Sequence, residues 1–170
     1  IPEIIHDHDN DHDTEEDRTT RSPLTLTAAP FNAALNAWAQ SDVKEAAEHA
    51  QRILDRMLIE RIVKPDLTTF NTVMNAWSRA IHDETAPTKV AELLALVYDM
   101  VESKELYKSD RPDRFSYASL IMAWSKSKDP ESAWHARNTL NDQVNVYLAG
   151  DHAAKPSIVS YTGVLTAACH

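Results

Sequence analysis

Glycine is nearly absent, with two residues in 170. Turn-rich β-sandwiches draw on glycine for their turns, so the shortage points towards helices. One cysteine, Cys169, excludes an internal disulfide and says little about redox compartment. No run of about 18 apolar residues occurs, so no membrane-spanning helix is expected. A Gly-rich phosphate loop, metal-ligand spacing and a nucleophile motif are all missing. The expectation is therefore no enzyme, no cofactor, no structural metal and no small-molecule substrate. The chain opens on Ile1 rather than Met, and its repeating pattern breaks off at His170. A fragment is therefore expected, in which any targeting peptide would lie upstream.

The formal net charge of −9 is unevenly placed. Eight of the 26 acidic residues fall within positions 1–17, which hold no Lys or Arg, leaving 18 acids against 17 bases in the remainder. The body is near neutral, which neither demands nor excludes a nucleic-acid partner. Residues 1–27 read as a disordered acidic tail, because Asp7-His8-Asp9-Asn10-Asp11-His12-Asp13 has no apolar period. His6, His8 and His12 among aspartates have the donor chemistry for a divalent ion. Nothing there fixes a geometry, so a solvated linker is expected.

Against these absences stands one pattern written four times. Phe31-Asn32-Ala33-Ala34-Leu35-Asn36-Ala37-Trp38 is followed by Phe70-Asn71-Thr72-Val73-Met74-Asn75-Ala76-Trp77. Tyr117-Ala118-Ser119-Leu120-Ile121-Met122-Ala123-Trp124 is the third copy, and Tyr161-Thr162-Gly163-Val164-Leu165 starts a fourth. Lys64-Pro65-Asp66, Arg111-Pro112-Asp113 and Lys155-Pro156-Ser157 precede the last three. Such periodicity marks stacked repeats.

Within each copy the apolar residues recur at helical spacing, giving a helix A. Proline stops the preceding helix and Asp can cap the next. A helix B follows, expected near Val43–Val63, near Pro87–Leu106, and from Asp129-Pro130-Glu131, with Asp129 as cap and Pro130 at the first helical position. The units are residues 28–66, 67–113, 114–157 and a truncated 158–170 after the tail. Connections at Ile81–Ala86, Leu106–Asp110 and Gly150–Ala154 carry inserts. The expected fold is all-α: a right-handed α-solenoid of stacked helix-turn-helix repeats.

The aromatic-Asn-Thr opening and the closing Pro-Asp resemble the pentatricopeptide repeat family over residues 28–170. Two features depart from the family pattern: the units are longer, and Trp replaces an aliphatic residue in helix A. The Trp-Leu-Gly-Tyr pattern of tetratricopeptide repeats is missing here, and HEAT or armadillo units match the longer period but explain neither the Asn nor the Pro-Asp. The resemblance implies sequence-selective binding of single-stranded RNA, in mitochondrion or plastid, for RNA processing, stability or translation. Other RNA-processing proteins would be further partners.

Helix A carries a second stripe, Asn32, Asn36, Gln40 in the first copy and Asn71, Asn75, Arg79 in the second. The third has Ala118, Met122 and Lys126. Asn71, Asn75 and Arg79 have no packing duty visible in the sequence. Asn can present donor and acceptor to a base edge, and helical repeats can read one base each. By the resemblance, bases are read by Asn32 with Asp66, Asn71 with Asp113, and Ala118 with Ser157, while Thr162 opens a fourth pair. Asn with Asp favours uracil in that family; Ala118 with Ser157 fits no strong preference. Ala29, Thr68, Phe115 and Val159 fall where the family sandwiches each base. Arg79 and Lys126 are placed for phosphate contact. Trp38, Trp77 and Trp124 belong to the core stripe. Two complete pairs contact about two bases, so further repeats are expected in the full protein. The alternative is a helical scaffold for protein partners, in which the asparagines are ordinary solvated or capping side chains and Asp66 and Asp113 only cap helices.

Overall fold

The computed structural model describes residues 27–169. The acidic tail, with His6, His8 and His12, lies outside them apart from Thr27, as does His170. Among the described residues all regular structure is helical, without a strand. The α-helices are α1 (Ala29–Ala39), α2 (Ala46–Glu60), α3 (Leu67–Arg79), α4 (Ala86–Glu102), α5 (Arg114–Lys126), α6 (Ser132–Leu148) and α7 (Ile158–Ala168). Two of the inserts close as short 3-10 turns, Lys108–Asp110 and His152–Ala154. No helix among the described residues is long and apolar enough to cross a membrane.

Each α1–α2, α3–α4 and α5–α6 pair is a hairpin, and each odd-numbered helix also packs on the next odd-numbered one. Every even-numbered helix lies against the two odd-numbered helices that flank it in sequence. The two helix types therefore form two layers, with the apolar stripes between them. Phe70, Val73 and Met74 are wholly buried, and Trp77 nearly so. Tyr117, Leu120 and Ile121 repeat this in α5. Trp38 and Trp124 are half-buried, packed on the core cluster and stacked on His49 and His135 at 4.3 and 4.2 Å between ring centres. Trp77 instead donates its indole N–H to Gln51 Oε1 at 3.0 Å. The Tyr98 and Tyr117 hydroxyls are bonded to each other, and burial, aided by that bond, raises the Tyr117 pKa well above the ordinary phenol value.

The even helices differ from expectation at their ends. α2 stops at Glu60 and α4 at Glu102, short of Val63 and Leu106. Arg61 and Lys104 adopt left-handed φ values of 49° and 63°, which reverse the chain. Val63 and Leu106 then fold back into the interior as apolar clamps on those turns. Gly150, at φ 104°, makes the same reversal after α6 without a Cβ penalty. Asp129 does not cap α6, nor is Pro130 its first residue. The helix begins at Ser132 with Glu131 in the cap position, because Asp129 Oδ1 closes a tight turn by accepting from Glu131 N at 2.8 Å.

The repeat is also incomplete in its burial. Tyr161 is 50% exposed, where its counterparts Phe70 and Tyr117 are 0% and 2% exposed. α7 has only α5 and α6 against it among the described residues. It sits close to α5 because Gly163 has no side chain: a Cβ there would lie 2.6 Å from Ile121 Cγ2. Gln143 is fully buried at the register where α2 has Met57 and α4 has Val97. Neither end of its amide has a hydrogen-bond partner among the described residues. An unpaired buried amide costs about 1–3 kcal/mol. Gln143→Leu is therefore expected to raise stability in urea unfolding by about 1 kcal/mol or more. Phe70→Ala, by contrast, should lower it by about 3–5 kcal/mol.

Candidate functional site

The site grows from the way α3 and α5 begin. The first amides of a helix lack internal acceptors, and an Asp just before the helix can supply one. Asp66 Oδ1 accepts from Thr69 N at 2.8 Å, and Thr69 Oγ1 accepts from Asp66 N at 3.1 Å. Asp113 and Ser116 repeat this reciprocal box at 3.1 and 3.2 Å. Asp113 Oδ1 also accepts from Phe115 N at 2.9 Å. The capping role expected of both aspartates is thus observed.

The preceding odd-numbered helix reaches into each box. Asn32 Nδ2 donates to Asp66 Oδ1 at 3.3 Å across 34 residues of chain. Asn71 Nδ2 donates to Asp113 Oδ1 at 3.1 Å across 42 residues. The amide oxygens are held from the other side: Thr69 Oγ1 donates to Asn32 Oδ1 at 2.7 Å, and Ser116 Oγ to Asn71 Oδ1 at 2.6 Å. A carboxylate only accepts, so the amide nitrogen must be the atom that faces it. Asn71 therefore does have a packing duty, contrary to the sequence reading. It joins α3 to the start of α5, as Asn32 joins α1 to the start of α3. At each pair one amide N–H and the aspartate Oδ2 have no partner among the described residues.

Asn71 and Asp113 lie in an open groove of about 490 Å³ that runs along the odd-numbered helices. Asn36, Asn75, Ala118 and Met122 from the second stripe line its floor. Thr68, Phe115 and Val159 stand on its walls, Phe115 56% and Val159 44% exposed. Arg114 lies over the Phe115 ring, 4.8 Å from its centre. Ala29 is exposed on the first turn of α1 and does not line this groove.

The third station is built differently. Ala118 has no amide, and Ser157, in the cap position of α7, makes no side-chain cap bond. Thr162 Oγ1 lies 2.9 Å from Ile158 O and bonds back to its own helix. The two cations expected at phosphates sit beyond the groove, at the C-terminal ends of α3 and α5. Arg79 pairs with Asp42 at 3.5 Å, a contact that exposure of both partners makes weak. Arg79 thus has one structural contact that the sequence did not show. Lys126 Nζ donates to Ser78 O at 2.9 Å, capping the end of α3. Burial, and then the nearby Arg79 charge, hold the Lys126 pKa below the ordinary lysine value.

Thr69 and Ser116 were not singled out in the sequence, although the spacing Asp-x-x-Thr and Asp-x-x-Ser carries the capping-box signal. No group of three or more His, Cys, Asp or Glu among the described residues is placed to hold a metal ion. Comparison with protein-family models, with curated proteins and with solved structures finds no match. Asp113→Ala should cost about 1–2 kcal/mol through the lost cap. In a double-mutant cycle by urea unfolding, Asp113→Ala and Asn71→Ala should be non-additive by about 0.5 kcal/mol or more, because the two side chains share one network.

Proposed function

We propose that the chain is a sequence-selective, single-stranded RNA-binding segment of a right-handed α-solenoid built from pentatricopeptide-like repeats. One observation carries this reading. Two Asn–Asp pairs, far apart in sequence, come into contact at the same place in successive units, and one of them lies in a groove beside an exposed aromatic. Each pair keeps one amide N–H and one carboxylate oxygen unpaired among the described residues. A base edge offers a donor beside an acceptor, and the pair is complementary to that arrangement. Phe115 supplies a flat aromatic face and Val159 an apolar branched one, between which a base would pack. The resemblance adds that such pairs favour uracil, and that the setting is RNA processing, stability or translation in a mitochondrion or plastid, alongside other RNA-processing proteins. The chain would position RNA and perform no chemistry itself.

A protein-binding scaffold is the second reading. What favours it is the engagement of the two cations of the second stripe: Lys126 caps a helix and Arg79 has an acidic partner, so neither is held ready for a phosphate.

The two readings part on salt and on base. RNA binding predicts an affinity that falls with salt, since phosphate contacts release counterions. Measured by NMR titration at low salt, oligo(U) is expected to bind better than oligo(C). Asn71→Ala should reduce that preference about tenfold. Equal binding of the two oligonucleotides, unchanged by Asn71→Ala, would rule out base reading. Absence of any RNA binding at low salt would leave the scaffold.

A further inference from the structure

We infer that the buried hydroxyls of Thr69 and Ser116 are positioning residues that set which atoms of Asn32 and Asn71 a bound base meets. The role in recognition rests on the RNA reading above; the hydroxyl contacts do not. Both hydroxyl-bearing residues are fully buried, so water does not compete for them. Each hydroxyl has one proton, and its shortest acceptor is the asparagine Oδ1, at 2.7 and 2.6 Å. The aspartate Oδ1 lies farther off, at 2.8 and 3.2 Å. The hydroxyl oxygen meanwhile accepts from the aspartate N–H. The asparagine is thus held at both ends, by the carboxylate at Nδ2 and by the hydroxyl at Oδ1. With only the first bond the amide swivels about it. With both, the free N–H and the free Oδ2 of each pair keep a fixed order, which at Asn71 and Asp113 faces the groove.

That order has chemical meaning. Uracil and guanine place a ring N–H beside a carbonyl oxygen, whereas cytosine and adenine place a bare ring nitrogen beside an amino group. A donor and an acceptor held in fixed order separate the keto bases from the amino bases; a swivelling amide satisfies either.

The third station serves as an internal control. Ser160 occupies the register of Thr69 and Ser116 and is fully buried, yet its hydroxyl has no partner among the described residues. Ala118 stands where the asparagine would be, and Ser157 where the aspartate would be. Buried hydroxyls are seldom left unpaired. Carboxylate and amide are lost together here, and the hydroxyl that remains is left without a partner, as expected of a group that serves the other two. This station passes a base without reading its edge.

The test uses the whole chain, isotope-labelled, with the side-chain amide signals of Asn32 and Asn71 followed by NMR without RNA. Thr69→Val should shift the Asn32 amide and speed its hydrogen exchange while sparing Asn71, and Ser116→Ala should do the converse. Thr69→Ser should restore the Asn32 signal. In titrations each loss variant should lower the preference for tetrauridine over tetracytidine about tenfold while leaving tetracytidine binding unchanged. The double substitution Ala118→Asn with Ser157→Asp should create a third protected amide and raise the uridine preference about tenfold. This gain does not depend on a destabilised variant staying folded. Unchanged amide signals in Thr69→Val and Ser116→Ala, or no protected amide in the double variant, overturn the inference. If the amides respond as expected but the unaltered chain binds no RNA, the RNA reading and the specificity role fall, while the hydroxyl contacts stand.

Discussion

A helix entering a packed array must satisfy its first amides, and in this chain that constraint organises the joints between repeats. Asp66 and Asp113 meet it for α3 and α5. The same oxygen that caps the new helix accepts from an asparagine on the previous odd-numbered helix. One carboxylate therefore closes one unit, starts the first helix of the next, and ties that helix to the odd-numbered helix of the unit it closes. Buried hydroxyls complete the joint. The network is polar and half-buried, with its two hydroxyls enclosed, a situation in which a lost partner is costly and the bonds that are made give rigidity.

The apolar layer obeys a simpler rule. Small residues near the starts of α2 and α6, Ala50 and Ala136, are wholly buried and let the odd-numbered helices approach, while α4 has Val90 at that register. Larger ones follow along the same face, Leu54 and Met57 in α2, Leu94 and Val97 in α4. Where the third unit meets α7 the rule breaks, and the break is local. Gln143 replaces an apolar residue, Ser160 of α7 lacks an acceptor, and Gly163 of α7 lets that helix close onto α5. The joint between α5 and α7 thus differs from the two before it, and so does the core beneath α6.

The same side chains serve cohesion and the proposed recognition. Asn71 and Asp113 hold two helices together and line the groove. Loss of either is felt in stability as well as in any base contact, so a binding defect alone does not separate the roles. Lys126 illustrates the point from the other side. It lies on the stripe expected to meet phosphate, but Ser78 O claims its ammonium.

Much of the fold was legible in the chain by itself. The spacing of Phe70, Val73, Met74 and Trp77 makes a helix with one buried face, because helical geometry is local and periodic. Pro-Asp marks where that helix begins, because ring closure and capping act within a turn. Positions of the even-numbered helices were legible to within a few residues. Their ends were not, since Arg61 and Lys104 take left-handed conformations that no propensity favours, and Asp129 closes a turn in place of a cap. The tertiary structure decided what touches across forty residues. Asn71 looked unoccupied in sequence because its partners, Asp113 and Ser116, lie in the following unit. The orphaned hydroxyl of Ser160 was equally invisible, since a missing partner can be recognised only once the neighbouring helix is in place. Local periodicity determines the helices; the joints between them are long-range, and only packing settles them.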